Sequence, residues 1–160
     1  MAKFQFAVLT DNPERKNVIT AKLGARAGNA TELKAGLGEY SDAEINKAVK
    51  IGPVSNYLLC AAGDEIDGVI DNIDSGGTED GFTLGGVARC NAGQRYEAEV
   101  GTGSAQLAVG DLVVAAAQKA VGTPGLLQVQ KGTPTLHVWR VMRIITGTGV
   151  VGNKVLIEKL

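Results

Sequence analysis

The stretch Gly63–Arg89, GDEIDGVIDNIDSGGTEDGFTLGGVAR, decides how this chain is read. Ile66, Val69, Ile70 and Ile73 supply apolar positions before Ser75-Gly76-Gly77, and Phe82, Leu84 and Val87 supply them after it. That is the pattern of strand, turn, strand. Ile66, Ile70 and Leu84 are expected to face a core, which leaves the acids facing outward. Nothing in the stretch forms a catalytic motif.

Downstream the same punctuation recurs. Asn91-Ala92-Gly93, Gly101-Thr102-Gly103, Val109-Gly110-Asp111, Gly122-Thr123-Pro124-Gly125, Lys131-Gly132-Thr133-Pro134 and Gly147-Thr148-Gly149 read as turns, and so do Ala62-Gly63-Asp64 and Gly85-Gly86. Between the turns, strands are expected at 55–61, 65–73, 81–89, 95–100, 111–116, 126–130, 135–145 and 153–159. Residues 106–121 could tolerate a helix, but Gly110 and the Val113-Val114 pair favour a strand. Short strands at this spacing belong to a barrel or sandwich. The composition agrees: 22 glycines are roughly twice the usual share, and aromatic residues make up only 4%. At 160 residues, a single core is expected. The Gly-Asp pairs at 63–64 and 110–111, each before a buried run, hint at an internal repeat.

Upstream, residues 1–52 have isolated apolar positions after Leu9 and read as an extended N-terminal arm. One short helix is signalled within it, at 41–49. Ser41 and Glu44 have capping-box spacing, Tyr40 and Ile45 stand where a hydrophobic staple would close, and Gly52-Pro53 ends the segment. Residues 53–160 are then the β-barrel or sandwich domain.

Sites for chemistry are few. Gly147 to Gly152 spells GxGxxG, but only eight residues follow, so no βαβ unit can be built on it and a β-turn is expected. His137 is the only histidine. Cys60 and Cys90 are too few for a disulfide framework or a metal knuckle. The acids from Asp64 to Asp80 break the calcium-loop spacing at Ile73. No catalytic residue, metal or cofactor is expected, and the chain is read as a non-enzyme.

With 16 basic and 17 acidic residues the net charge is −1, which excludes an overall pull toward nucleic acid or membrane. The start of the chain carries no cleavable signal pattern, so synthesis in a cytoplasm is expected. Charge is nevertheless segregated. Lys3, Arg15, Lys16, Lys22, Arg26 and Lys34 outnumber the acids of the arm, whereas Asp67, Asp71, Asp74, Glu79 and Asp80 lie in a run without a base. These two sets form the candidate interface, the basic arm of one subunit meeting the acidic hairpin of a neighbour.

The run AGDEIDGVIDNIDSGGTEDGFTLGGVAR, followed by AVGDLVVAA and the closing KVLIEKL, resembles the small capsid decoration, or cement, proteins of tailed bacteriophages. The resemblance covers a little under half the chain. It implies a mainly β protein, a β-barrel or β-tulip-like domain, that binds the outside of an assembled capsid. The implied partners are the major capsid protein and further copies of the chain, often as a homo-trimer, and the implied location is the virion surface. The long basic start departs from the compact members of that group. A receptor- or carbohydrate-binding β module is the alternative, although its aromatic platform would have to come from Trp139, Tyr40, Tyr57 and Tyr96.

Overall fold

Alternating burial and glycine-marked turns translate directly into strands in the computed structural model, which describes residues 17–24, 40–77 and 81–160. The strands are β1 Asn17–Leu23, β2 Ala48–Ile51, β3 Asn56–Leu59, β4 Gly68–Gly77, β5 Thr83–Arg89, β6 Arg95–Val100, β7 Leu112–Ala115, β8 Leu127–Lys131, β9 Trp139–Ile144 and β10 Lys154–Lys159. Each of the eight downstream segments expected to be extended overlaps one of them, with β4 and β8 running past the expected ends at 73 and 130. The protein is mainly β and barrel-forming, as the turn spacing implied.

It does not form one barrel, however. β1-β3-β2-β4-β5 closes on itself, and β10-β6-β8-β7-β9 closes on itself separately. The second barrel repeats the first. β1 is parallel to β3 and β6 is parallel to β8, while all other neighbours in both rings are antiparallel. Raising each strand number of the first ring by five reproduces the second ring. The repeat hinted at by the two Gly-Asp pairs is therefore real at the level of topology, but those pairs are not its equivalent points. Asp64 precedes the fourth strand of the first barrel and Asp111 the second strand of the second. What they share is local: Asp64 Oδ2 accepts from the Ala61 N–H at 2.6 Å, and Asp111 Oδ2 accepts from the Ala108 N–H at 2.8 Å.

Closure gives two cores where one was expected. Leu23, Tyr40, Ile45, Val49, Tyr57, Ile70 and Val87 pack in the first. The second holds Tyr96, Ala98, Val100, Leu107, Val113, Leu127, Trp139, Val141, Val155 and Ile157, and it extends to Ala48, Cys60, Ile66 and Val69 of the first barrel's strands and connections. Neighbouring residues thus serve different cores. Val49 and Ile70 belong to one, Ala48 and Val69 to the other, because successive side chains of a strand point to opposite faces.

The same demand overturns the helix expected at 41–49. The capping box forms between Ser41 and Glu44, and Tyr40 and Ile45 are buried in one core, but only a 3-10 turn, Asp42–Glu44, follows. Ile45 is already extended and Asn46 has φ 73°. A strand at Ala48–Ile51 buries both faces between two cores, whereas a two-turn helix would offer one stripe. The expected arm shrinks accordingly, since β1 and β2 are staves of the first barrel. Lys3, Arg15, Lys16, Arg26, Lys34, Glu79 and Asp80 lie outside the described residues.

The hairpin also differs in detail. β4 runs through Ser75-Gly76-Gly77, where a turn was expected, and Gly77 pairs with Thr83. Register shifts after Ile70 and after Ile73 absorb the extra residues. Gly85-Gly86, also read as a turn, sits inside β5. A Cβ on Gly85 would lie 2.5 Å from the Asn72 carbonyl oxygen, so glycine here permits close approach of two backbones. The segment expected at 135–145 is extended only over Trp139–Ile144, because Thr135 to His137 bend to meet the first barrel.

Candidate functional site

Two carboxylates of the acidic stretch, Glu65 and Asp67, bridge the seam between the barrels. Glu65, in the β3–β4 connection, accepts from the Thr135 N–H at 2.6 Å, the Thr135 hydroxyl at 2.7 Å, and the Leu136 and His137 N–H groups at 2.9 Å each. Donors from Thr135 and the neighbouring backbone hold its carboxyl down at about 2, because each of these bonds favours the charged form. Asp67 follows the same design. One oxygen accepts from the Ile51 N–H at 2.7 Å, and the other stands 2.7 Å from His137 Nε2. Asp64 pairs with Lys50 at 2.7 Å.

A second polar group spans the seam on the other side of β2. Lys47 Nζ lies 3.4 Å from Glu44 and donates to the carbonyls of Lys119 and Ala120 at 3.1 and 3.0 Å. Glu44 in turn accepts from the Ser41 and Gly122 N–H groups. Burial alone would raise the Glu44 carboxyl, but these donors and the ammonium prevail and hold it below the usual range. Burial pushes Lys47 down, and Glu44 only partly offsets it. Gln118 completes the group: its carbonyl accepts from the Ala48 and Gln128 N–H groups at 3.1 Å, and its amide donates to the Ala116 and Gln128 carbonyls at 2.8 Å.

Between these polar groups lies the apolar contact. Trp139 is fully buried, packs edge-on against Tyr96 with centroids 5.9 Å apart, and points its indole N–H at the Ile66 carbonyl, 3.5 Å away. Lys159 Nζ stands 5.5 Å from the Trp139 ring centroid, and burial lowers its pKa. Cys60 and Cys90 form no disulfide with each other, and burial pushes the Cys60 thiol up.

The sequence-derived interface residues are thus dispersed. Asp67 is spent on the seam. Asp71 accepts from the Asn72 amide at 3.1 Å, and Asp74 is exposed on β4. Lys22 stands with its ammonium 5.2 Å from the Phe82 ring centroid. Five of the eight basic residues over 81–160 pair with the four acids of the same segment: Arg95 and Arg140 both reach Glu158, Lys154 reaches Glu97, Lys119 reaches Glu99, and Lys131 reaches Asp111. Lys47, Glu44, Glu65 and Gln118 were missed as key residues. Glu65 left a trace in the sequence as a member of the acid run and Glu44 as half of the capping box, but all four acquire their role at the seam from segments some 70 residues away in the chain.

Among the described residues, no group of three or more His, Cys, Asp or Glu side chains is placed to hold a metal ion. Tyr40, Tyr57, Phe82, Tyr96 and Trp139 are all buried. Comparison of the chain with protein-family models, with curated proteins and with solved structures finds no match.

Proposed function

We propose that this chain is a structural virion protein, a capsid decoration or cement protein that binds the outer surface of an assembled phage shell and stabilises it. The observation that carries this reading is the fate of the acidic stretch. The carboxylates with the best geometry for chemistry, Glu65 and Asp67, are consumed in bracing one barrel against the other. Such groups hold a shape and are not poised to react, and a cement protein needs a stable shape and many weak contacts. The residues of the Gly63–Arg89 run that carry the resemblance to decoration proteins are the same ones that build the first barrel and its seam. Attachment through the basic residues ahead of β1, and assembly as a trimer, belong to this proposal. The carbohydrate-binding alternative finds no exposed aromatic platform among the described residues.

The test is the stability of particles. Shells assembled with and without this protein are heated or treated with chelator, and disassembly is followed by light scattering. Decorated shells are expected to persist to higher temperature, and equal disassembly curves would sink the proposal. Deleting residues 1–16 should lower occupancy on shells while leaving both barrels folded by circular dichroism.

A further inference from the structure

One end of the second barrel presents exposed apolar residues on uncharged loops. The connection from β6 to β7 and the turn from β9 to β10 meet there. Residues 100–110, VGTGSAQLAVG, and 144–153, IITGTGVVGN, contain no charged residue, in a chain that is 21% charged. Val109, Val150 and Val151 are 65, 44 and 47% exposed on these two segments.

The two segments are locked together. The Leu107 N–H donates to the Gly149 carbonyl at 2.9 Å, and the Gln106 amide donates to the Thr148 carbonyl at 2.8 Å. Asn153 Oδ1 accepts from the Thr148 and Val150 N–H groups, and the Gly152 N–H donates to the Val100 carbonyl at 2.8 Å. A partner would meet a preorganised surface, so little loop entropy is lost on binding.

We infer that this tip is the seat of the second barrel on its partner, and that the partner site is an uncharged, apolar protein surface repeated many times on the shell; this rests on the cement-protein reading above. Two arguments select that occupant. The two tip segments carry no ionised group of their own and are bordered by the Lys131–Asp111 pair, whereas the flanks of the barrel carry the pairs of Arg95, Arg140 and Glu158 and of Lys154 and Glu97, which a partner there would have to desolvate. The matching surface is therefore neutral. The exposed apolar area of three valines is at most roughly a few hundred Å², well under the ~800 Å² per partner of a stable pairwise interface. Such a contact does not hold two free copies together. It holds when many identical sites are offered in a lattice and contacts from one assembly multiply.

Full-length protein carrying Val109→Asp and Val150→Asp is tested for co-sedimentation with purified shells of the source virus that lack this chain. Val150→Ser serves as a milder version and Val54→Asp as an exposed control away from the tip, Val54 being 42% exposed on the first barrel. Circular dichroism and Trp139 emission verify the fold. The double variant is expected to bind at least about tenfold more weakly and Val150→Ser several-fold more weakly, with Val54→Asp unchanged. The ratio of wild-type to Val150→Ser binding, which isolates the tip from any charged contact of the arm, should change by less than about threefold between ~0.05 and ~0.5 M salt, as suits an uncharged contact. Folded tip variants that bind like wild type overturn the tip while leaving the cement reading intact. A tip contribution that falls steeply with salt overturns the uncharged contact. Wild-type protein that binds no shell overturns the cement reading, and the tip with it.

Discussion

Lys47 and Glu44 form an ion pair whose two side chains are both fully out of solvent, 3.4 Å apart, and the ammonium completes its bonds on carbonyls of the other barrel. The pair belongs to one barrel by sequence and to both by geometry. Removing one partner leaves an unpaired charge in the seam.

Lys47→Met should therefore destabilise the protein by about 3–5 kcal/mol. Adding Glu44→Gln should recover part of that loss, because the residual buried charge is gone while the amide oxygen can still accept from Gly122. Urea denaturation of the two variants checks both statements, and a cost near zero for Lys47→Met would remove the pair from the account of the seam.

Glu65 yields a pH dependence of defined sign. Its carboxyl sits at about 2 in the folded protein, below the ordinary 4.5, held there by Thr135 and its neighbours. A depressed folded pKa adds stability that is fully present above the unfolded value and is lost as pH falls through the folded one. The stability gap between wild type and Glu65→Gln should stay constant above pH 4.5, narrow between 4.5 and 2, and close near 2. Glu44 and Asp111 are also depressed, so both proteins keep an acid slope and the difference between them is the observable. Parallel curves through that range would contradict the assignment.

The two cores should melt together. Ile66 is a first-barrel residue in the core cluster that also holds Trp139. Ile66→Ala should cost about 2–5 kcal/mol and shift the emission of Trp139 to the red. In a Cys60→Ser, Cys90→Ser background carrying Val87→Cys, a first-core position, loss of the buried Trp139 signal and appearance of thiol reactivity should coincide on one denaturant axis. Separate midpoints would show that the barrels unfold independently.

Gly85→Ala tests the backbone approach in β5. Its methyl would meet the Asn72 carbonyl oxygen and Leu23 at 2.5 and 2.6 Å, and the expected loss is about 1–3 kcal/mol. An unchanged thermal midpoint would mean that β4 can move aside.

Where the chain is extended was legible in the residues. Period-2 burial and glycine turns placed β3 to β10, and the capping box at Ser41 and Glu44 was visible from spacing alone, because these signals lie within a few residues of one another. The destiny of Ala48 and Val49 was not, since a short run of small apolar residues suits a helix or a strand until two cores claim its opposite faces. Gly85-Gly86 misled for a related reason: the residue that demands glycine there, Asn72, lies across the hairpin. The candidate site suffered most. Asp67 was read as outward-facing because its acid neighbours were visible, while His137, 70 residues later, was not. By itself the sequence determined which segments are strands, where turns fall between most of them, and that no familiar catalytic motif is present. Only the tertiary structure decided that the strands close into two barrels of one topology and that the acids brace the joint between them. The reason is physical: alternation and turn chemistry act between neighbours, whereas ring closure and buried ion pairs depend on which distant edges and charges meet when water is excluded.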